Sequence, residues 1–190
     1  MRAGLLALTG LLISVCAWAQ LPGRGVIDLD GRPADPTRAS RGIVANVLVF
    51  TTTDCPISNR YAPEIQRLAN KFRDRGIRFT LVYPVPGDSA AAVRQHLTAF
   101  AYDLPAVRDS GQALVKLAGV TVTPEVAVLD VRGRLVYRGR IDDRWVDFGK
   151  DRPAPTTHDL DDALAAVALG KTVAVRETRA VGCFLPDLVK

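Results

Sequence analysis

The sequence predicts an α/β domain with a mixed central sheet flanked by helices. Apolar, β-rich runs alternate with segments whose apolar residues recur every three or four positions, which is the pattern of strands followed by helices. The right-handed crossover rule makes the first two strands parallel, whereas the turn at Arg132-Gly133 predicts an antiparallel hairpin. Apolar residues make up 48% of the 190 residues, which excludes a disordered or fibrous chain.

The first strand–helix–strand unit spans residues 43–83. The run IVANVLVF at 43–50 is apolar nearly throughout, as expected of a strand buried on both faces. A helix follows from Pro56, because a proline in the first helical turn removes no helical hydrogen bond, and Gly76 ends it. The run IRFTLVY at 77–83 predicts the second strand. The buried face of the helix has apolar residues at spacings of 4, 4, 3 and 4: Ile57, Tyr61, Ile65, Leu68 and Phe72.

The second half of the chain predicts shorter elements. Asp88 and Ser89 cap a second helix. Its inner face consists of Val93, Leu97 and Phe100. Four short elements follow: a strand near 106–107, a helix at 112–118, a strand at 125–129 and its hairpin partner at 135–137. The last helix has an apolar face and ends at Gly170; the face is formed by Leu160, Leu164 and Val167.

Residues 140–157 predict a long charged loop between the hairpin and the last helix. Trp145 and Phe148 lie among its alternating charges. Two interpretations of these aromatic residues remain open, since they either form a lid or docking face or pack onto the domain.

The amino terminus predicts a secretory signal peptide. Arg2 precedes an apolar run from Leu5 to Cys16, and Ala17-Trp18-Ala19 has the small residues of a cleavage site. Cleavage after Ala19 leaves one domain over 20–190, which we expect to be secreted, with the periplasm as its compartment. Val15 precedes Cys16 where a lipoprotein signal has a small residue, which favours the soluble form over a lipid-anchored one.

Charge and apolar patterning argue against two classes of partner. The chain has 25 basic and 20 acidic side chains, a net charge of +5, and no block of five or six like charges, which argues against nucleic-acid binding. No other segment has the 18 apolar residues of a membrane span, so we expect no membrane contact after signal cleavage.

Cys55 is the main candidate for chemistry. It lies between the end of a buried strand and the start of a helix, where helical N–H groups and the helix dipole stabilise a thiolate. Two features weaken this interpretation. The neighbouring carboxylate of Asp54 disfavours a negative charge on the Cys55 sulfur, and Ser58 stands where a C-x-x-C motif has its second thiol. The alternative is a structural cysteine, either buried or permanently bonded to Cys183.

Three segments together resemble the thioredoxin superfamily: TTTDCP at 51–56, NRYAPEIQRLANKF at 59–72 and VTPEV at 122–126. The chain is more closely similar to redoxins called alkyl hydroperoxide reductase/thiol-specific antioxidant domains, and to their bacterial peroxiredoxin-like branch, through GRLVYRGRIDD at 133–143 and Gly182-Cys183. The resemblance covers residues 43–185. It implies a thioredoxin-like fold with the reactive thiol at Cys55.

The resemblance also implies the surroundings of that thiol. Thr123-Pro124 corresponds to the cis-proline loop, which in the superfamily offers backbone groups to an extended thiol substrate, although most X-Pro bonds are trans. Thr52 matches the hydroxyl residue of peroxiredoxins, but Leu48 replaces their proline. Their peroxide-polarising arginine is missing from the Thr123-Pro124 loop, which leaves the nearby Arg138 and Arg140 as candidates. The implied substrates are protein thiols, protein disulfides or a peroxide, with a thiol reductant as electron donor.

Cys183 lies beyond the last helix, and its role stays open at this point. It is a resolving thiol that attacks a sulfenic acid or mixed disulfide on Cys55, a fixed bridge to Cys55, or a free thiol. Spacing alone does not distinguish these three possibilities.

The leading hypothesis is therefore a secreted thiol oxidoreductase or antioxidant redoxin. Its catalytic residues are Cys55, Cys183, Thr52 and Pro124. One alternative is a copper-binding or metallochaperone-like module that uses the two cysteines and a histidine, although His96 and His158 lack ligand spacing and fit partly exposed packing or capping positions. The other is a redox-inactive binding domain with a structural disulfide. We expect no cofactor, because Gly170-Lys171-Thr172 lacks the first glycine of a phosphate-binding loop.

Overall fold

The fold is built on a six-stranded mixed sheet. A computed structural model describes residues 25–186, so the predicted signal peptide at 1–19 lies outside the described residues. The strands are β1 (Ile27–Asp28), β2 (Ala45–Phe50), β3 (Ile77–Tyr83), β4 (Ala106–Arg108), β5 (Val122–Thr123), β6 (Glu125–Asp130), β7 (Leu135–Gly139), β8 (Trp145–Asp147), β9 (Lys150–Asp151) and β10 (Cys183–Phe184). The helices are α1 (Pro56–Arg60), α2 (Ala62–Arg73), α3 (Ala90–Ala99), α4 (Ala113–Ala118) and α5 (Asp159–Ala168). None of these helices has the length and apolar character needed to cross a membrane.

The sheet has the strand order β1-β4-β3-β2-β6-β7. β2 and β3 are parallel, as the crossover rule requires, and β3 and β4 are parallel as well. The hairpin β6–β7 is antiparallel, and β6 also pairs antiparallel with β2. The predicted mixed sheet flanked by helices is confirmed. β5 and β10 form a separate antiparallel pair at the end of the molecule that carries Cys55 and Cys183.

The two faces of β2 pack into two hydrophobic clusters, because successive side chains of a strand point to opposite faces. Val47 and Val49 pack in the cluster that includes side chains of α2, α3 and α5. Leu48 and Phe50 pack in the cluster that includes α4. All six residues of β2 are buried, which explains the continuous apolar run in the sequence.

The predicted helix from Pro56 to Gly76 is two helices. α1 ends at Arg60 and α2 begins at Ala62, with Tyr61 between them. The break lies where Pro63 enters the first turn of α2, because a proline has no N–H to donate and its ring clashes with the carbonyl of the residue four positions before it. α1 has only five residues, so the dipole behind Cys55 is smaller than the sequence pattern suggested.

The predicted charged loop contains the hairpin β8–β9 and an anchor at Asp143. The carboxylate of Asp143 is buried and accepts hydrogen bonds from the Thr156 hydroxyl and from the backbone N–H groups of Thr156 and Thr157. These bonds, first of all the one from the Thr156 hydroxyl, hold the pKa of the Asp143 carboxyl well below its usual range. Trp145 packs against the core, whereas Phe148 is 67% exposed, so the two aromatic residues behave differently.

The chain after α5 returns along β7 towards β5. Arg138 in β7 donates its N–H to Arg176 O and accepts from the N–H of Thr178 at 3.1 Å. Gly139 permits this approach, since a Cβ there would collide with Thr178. The segment then reaches β5 and brings Cys183 back to the end of β2, although 128 positions separate the two cysteines in sequence.

Candidate active site

Cys55 occupies the junction between β2 and α1. It is the residue that caps α1, with an extended backbone conformation, and its carbonyl accepts the N–H of Asn59 at 3.0 Å. Pro56 begins the helix, as predicted from the sequence. The Cys55 side chain is 1% exposed, so its sulfur lies beneath neighbouring groups rather than open to solvent.

The sulfur of Cys55 contacts two groups that the sequence analysis had singled out. The thiol donates to the carbonyl of Thr123 at 3.0 Å, and its sulfur lies 2.7 Å from that of Cys183. The Thr123-Pro124 peptide bond is cis. Both cysteines are free thiols in the structure, and the separation of their sulfurs is longer than a disulfide bond of about 2.05 Å. Cys183 is partly exposed and therefore lies nearer the solvent than Cys55.

The two thiols differ in acidity. Burial acts to raise the pKa of Cys55, but hydrogen bonds from Cys183 and from the side chain and backbone of Ser58 outweigh it and lower that pKa below the ordinary value. Burial, together with the hydrogen bond to Cys55 and the charges of Cys55 and Asp54, raises the pKa of Cys183 to about 12. The opposite shifts make Cys55 the thiol that ionises first, and once it is ionised the protonated Cys183 is the group that can donate a hydrogen bond to it.

Ser58 supports the thiolate in a way that sequence reasoning missed. Ser58 is 1% exposed, and within residues 25–186 its hydroxyl makes no hydrogen bond, either to Cys55 or to another group. That hydroxyl is available to the Cys55 thiolate, which is consistent with its contribution to the lowered pKa of Cys55. The signal was present in the sequence, because Ser58 is three residues after Cys55, the spacing of a C-x-x-C pair.

None of the residues expected to assist peroxide chemistry is hydrogen-bonded to Cys55 among the residues that the structure describes. Thr52 is buried, but no hydrogen bond joins its hydroxyl to Cys55 in the described part of the chain. Arg138 binds the carbonyl of Gly119 at 2.6 Å and the carboxylate of Glu177. Arg140 binds Asp159 at 2.8 Å. Both guanidinium groups are thus engaged in ion pairs.

The histidines do not join the cysteine pair. His96 was expected to be partly exposed, but it is buried, because its ring bridges Tyr83 and Asn59 at 2.8 and 2.7 Å. Burial lowers the pKa of His96. His158 is exposed at the start of α5, and its side chain makes no capping hydrogen bond. Residues 25–186 contain no group of three His, Cys, Asp or Glu side chains arranged to hold a metal ion.

A buried acid supports the segment that faces Cys55. Glu125, directly after Pro124, accepts the backbone N–H of Thr121 at 2.9 Å and lies 3.9 Å from the guanidinium of Arg138. Burial raises the pKa of Glu125, although these partners oppose the rise. Arg138 also pairs with Glu177. The network therefore ties the β5 segment and the returning carboxyl-terminal segment to the same arginine.

Known structures share this architecture. An uncharacterized conserved protein from Geobacillus kaustophilus is 23% identical, with 87% of this chain and 89% of that chain covered and a TM-score of 0.73. A hypothetical protein from Sinorhizobium meliloti is 27% identical, with 74% and 78% covered and a TM-score of 0.64. An uncharacterized thioredoxin-like protein from Porphyromonas gingivalis is 23% identical, with 64% and 80% covered and a TM-score of 0.52. The fold is thus thioredoxin-like, as the sequence resemblance implied.

Sequence comparison identifies the family. No curated protein matches the chain. A family profile described as Redoxin matches residues 27–164, a region that contains Cys55, the cis-proline loop and the whole six-stranded sheet. The carboxyl-terminal segment with Cys183 lies beyond the matched residues. The chain belongs to the redoxin family.

Proposed function

We propose that this redoxin is a thiol–disulfide oxidoreductase in which Cys55 is the nucleophile and Cys183 the resolving thiol. The observation that carries the proposal is the 2.7 Å contact between the two sulfurs beside the cis-proline loop. The opposite pKa shifts support the assignment of roles, because the thiolate is the nucleophile in disulfide exchange. Pro124 shapes the loop whose Thr123 carbonyl contacts the Cys55 sulfur.

The reaction runs through one mixed disulfide. The Cys55 thiolate attacks one sulfur of a substrate disulfide, forms an S–S bond with it and expels the other substrate sulfur as a thiolate. Cys183 then loses its proton to solvent or to the leaving thiolate and attacks the Cys55 sulfur. The second substrate sulfur leaves, and a Cys55–Cys183 disulfide remains. Two electrons pass from the protein dithiol to the substrate, and the reverse sequence oxidises a substrate dithiol.

The surroundings of Cys55 favour a disulfide over a peroxide as its reaction partner. Peroxide reduction needs groups that polarise the O–O bond, and the nearby arginines are held by Glu177 and Asp159. Thr52 makes no hydrogen bond with Cys55 among the described residues. Disulfide exchange needs only a thiolate, access and a second thiol, and the cysteine pair supplies the thiolate and the second thiol.

Glutathione disulfide provides the direct test. The wild-type chain should lose the Cys55 and Cys183 thiols together and form the internal disulfide. Cys183→Ser should stop at a glutathione mixed disulfide on Cys55, whereas Cys55→Ser should react far more slowly, because the remaining thiol has a raised pKa. Alkylation of the residual thiols followed by mass spectrometry distinguishes the three products.

Three results would overturn the proposal. The first is a Cys55 thiol that stays unmodified in Cys183→Ser at neutral pH. The second is an internal disulfide that resists mild dithiols in the folded protein, which would favour a structural bridge. The third is a faster reaction of Cys55 with dilute hydrogen peroxide than with glutathione disulfide, which would support the antioxidant function instead.

Stoichiometric copper binding that fails in Cys55→Ser and Cys183→Ser would favour the metal-binding alternative.

We further propose that the protein works outside the cytoplasm. The support is the signal-peptide pattern over residues 1–19, together with a cysteine pair suited to an oxidising compartment. Expression of the full chain and of a variant without residues 2–19, followed by cell fractionation, tests this. Recovery of both forms in the cytoplasm would refute export.

A further inference from the structure

The Gly182–Phe184 segment lies where the redoxin resemblance expects an extended thiol substrate. Cys183 pairs with Thr123 and Phe184 with Val122 in antiparallel register along β5. Leu185 continues the pairing, since its N–H donates to the Thr121 carbonyl at 3.0 Å. The chain therefore presents its own cysteine to Cys55 in the geometry of a bound peptide strand.

We infer that this segment is an internal competitor for the β5 edge, and that protein partners admitted there carry glycine directly before their reactive cysteine. The inference rests on the proposed function, because it assigns a substrate class to the same thiol. Partner and tail form the same backbone hydrogen bonds with β5, so only one of them occupies the edge at a time.

The glycine preference follows from the contact at Gly182. A Cβ at this position would collide with the backbone carbonyl of Thr123, and its next neighbours would be the carbonyl carbon of Thr123 and the nitrogen of Pro124. These are backbone atoms of the loop that contacts the Cys55 sulfur, so they cannot move aside as a flexible side chain does. A partner strand in the same register meets the same carbonyl with the residue before its cysteine.

The residue after the cysteine meets little restriction. Phe184 is 86% exposed and borders a groove of about 490 Å³ between the tail, β5 and the β8–β9 hairpin. Phe148, also largely exposed, lines the same groove. The groove has room for the side chains that follow a partner cysteine.

The attachment of the tail suits repeated release. Its upstream part is anchored, because Thr178 bonds with Arg138 and Tyr137, and Glu177 pairs with Arg138. Its downstream part is held by the two-residue pairing of β10 with β5, by the hydrogen bond of the Leu185 N–H to the Thr121 carbonyl at 3.0 Å, and by that of Gln112 to Pro186 at 2.9 Å. Release of this short pairing uncovers Cys55 while the anchor keeps Cys183 near.

An exchange cycle then requires that the partner segment occupy the β5 edge first and the tail occupy it afterwards. The tail leaves β5, a partner disulfide segment binds, and the Cys55 thiolate forms a bond to the partner cysteine as the other partner sulfur departs as a thiolate. The tail returns, the Cys183 thiolate attacks the Cys55 sulfur, and the partner cysteine leaves as a thiolate. The returning strand thus resolves the mixed disulfide and also displaces the partner backbone.

Activated peptides test the inference. The probes are the peptide RAVGCFLP, which has the sequence of residues 179–186, and a matched peptide with alanine in place of glycine, each with its cysteine bonded to 2-nitro-5-thiobenzoate. The protein is the full chain with Cys16→Ser and Cys183→Ser, which leaves Cys55 as its one cysteine. Attack by Cys55 on the peptide sulfur releases the coloured nitrothiobenzoate thiolate, whose absorbance gives the rate. Glutathione disulfide serves as a small reference substrate.

We expect the glycine peptide to react about tenfold faster than the alanine peptide, which corresponds to about 1.4 kcal/mol. Gly182→Ala, added to this protein, should displace the tail and accelerate the glycine peptide by about tenfold. Glutathione disulfide should gain less, because it profits only from the better access to Cys55 and not from the vacated β5 edge. Gly87→Ala is the matched control, because Gly87 is exposed and a Cβ there meets no atom within 4 Å.

The outcomes separate the two proposals. Equal rates for the two peptides would refute the glycine preference, and no acceleration by Gly182→Ala would refute competition by the tail, while normal reaction with glutathione disulfide would leave the oxidoreductase function intact. If Cys55 reacts with neither peptide nor with glutathione disulfide, the proposed function and this inference both fail. If Gly182→Ala does not fold, the comparison of the two peptides in the parent protein decides alone.

Discussion

Removal of the Cys183 thiol should make Cys55 less acidic. The Cys183 sulfur lies 2.7 Å from that of Cys55, either thiol can donate across this contact, and a hydrogen bond from Cys183 to the ionised Cys55 is one of the causes that lower the pKa of Cys55. Cys183→Ala deletes the donor, so the thiolate loses stabilisation relative to the thiol and the pKa of Cys55 rises. Cys183→Ser keeps a hydroxyl donor at the same place, so the pKa of Cys55 should rise less in this variant.

The size of the effect follows from two opposing changes. A hydrogen bond to a charged group contributes about 1.5–3 kcal/mol. Deleting the Cys183 side chain also lets water approach Cys55 and relieves part of the burial, which acts in the other direction. Ser58 remains as a second donor. We therefore expect a net loss of about 1.4 kcal/mol in thiolate stability, which reduces the thiolate-to-thiol ratio at a fixed pH about tenfold.

The assay is the pH dependence of the ultraviolet absorbance of the thiolate in chains that also carry Cys16→Ser. This absorbance reports the ionised fraction directly, so it does not depend on the improved access of reagents to Cys55 in the alanine variant. The midpoint should move to higher pH in the order wild type, Cys183→Ser, Cys183→Ala. An unchanged midpoint in Cys183→Ala, or a shift to lower pH, would show that Cys183 does not stabilise the thiolate and would remove the assigned difference between the two thiols.

Three further predictions concern stability. Leu160→Ala, at a fully buried position of α5, should lower the free energy of unfolding by about 2–5 kcal/mol in urea titrations. The control is Leu169→Ala, at a 65% exposed position, which should change that free energy by at most about 0.5 kcal/mol. Similar losses in the two variants would contradict the described core. The pKa of Asp143 is lowered in the folded state, so its carboxylate stabilises the fold at pH values above its unfolded pKa of about 3.9, and this stabilisation is lost as the pH falls towards the folded pKa. Asp143→Asn should therefore be less stable than the wild type at neutral pH and should lose less stability in acid. Parallel curves of stability against pH for the two proteins would count against this. Arg138→Ala should lower the free energy of unfolding by about 1–3 kcal/mol at neutral pH, and by less in acid, where the buried Glu125 becomes protonated. The same substitution should raise the pKa of Glu125 as measured by carboxyl NMR. An unaltered Glu125 titration would refute the interaction between Arg138 and Glu125.

The central strands of the sheet and its hairpin could be predicted from the sequence because their signals are local. β2 and β3 are runs of buried residues, and the hairpin β6–β7 has a glycine turn between two apolar segments. The break between α1 and α2 also had a local signal in Pro63, but the regular apolar spacing across it was the stronger pattern. The side chains of α1 and α2 share one hydrophobic face, so the spacing persists even though the backbone hydrogen bonds do not.

The candidate site was only half predictable. Cys55 was identified from its position between a strand and a helix, which depends on neighbouring residues alone. Its contact with Cys183 depends on the return of a mostly exposed tail along β7, and a tail without regular secondary structure has no periodic pattern that predicts its path. The fit of Gly182 against the Thr123 carbonyl is likewise a tertiary contact, which one sequence does not reveal.

The division of roles between Ser58 and Cys183 has a kinetic consequence under the proposed function. A C-x-x-C pair holds both sulfurs on one helix, so the donor to the thiolate and the resolving thiol are a single group. Here the polar groups of Ser58 that act to lower the pKa of Cys55 stay on α1, while the resolving sulfur lies on a tail that is joined to β5 by a short strand pairing. The thiolate therefore retains part of its stabilisation when the tail leaves. The rate of resolution depends instead on the effective concentration of Cys183, which the anchor at Arg138 and Glu177 maintains. A partner that binds β5 tightly lengthens the life of its own mixed disulfide, because the tail returns only when that edge is free.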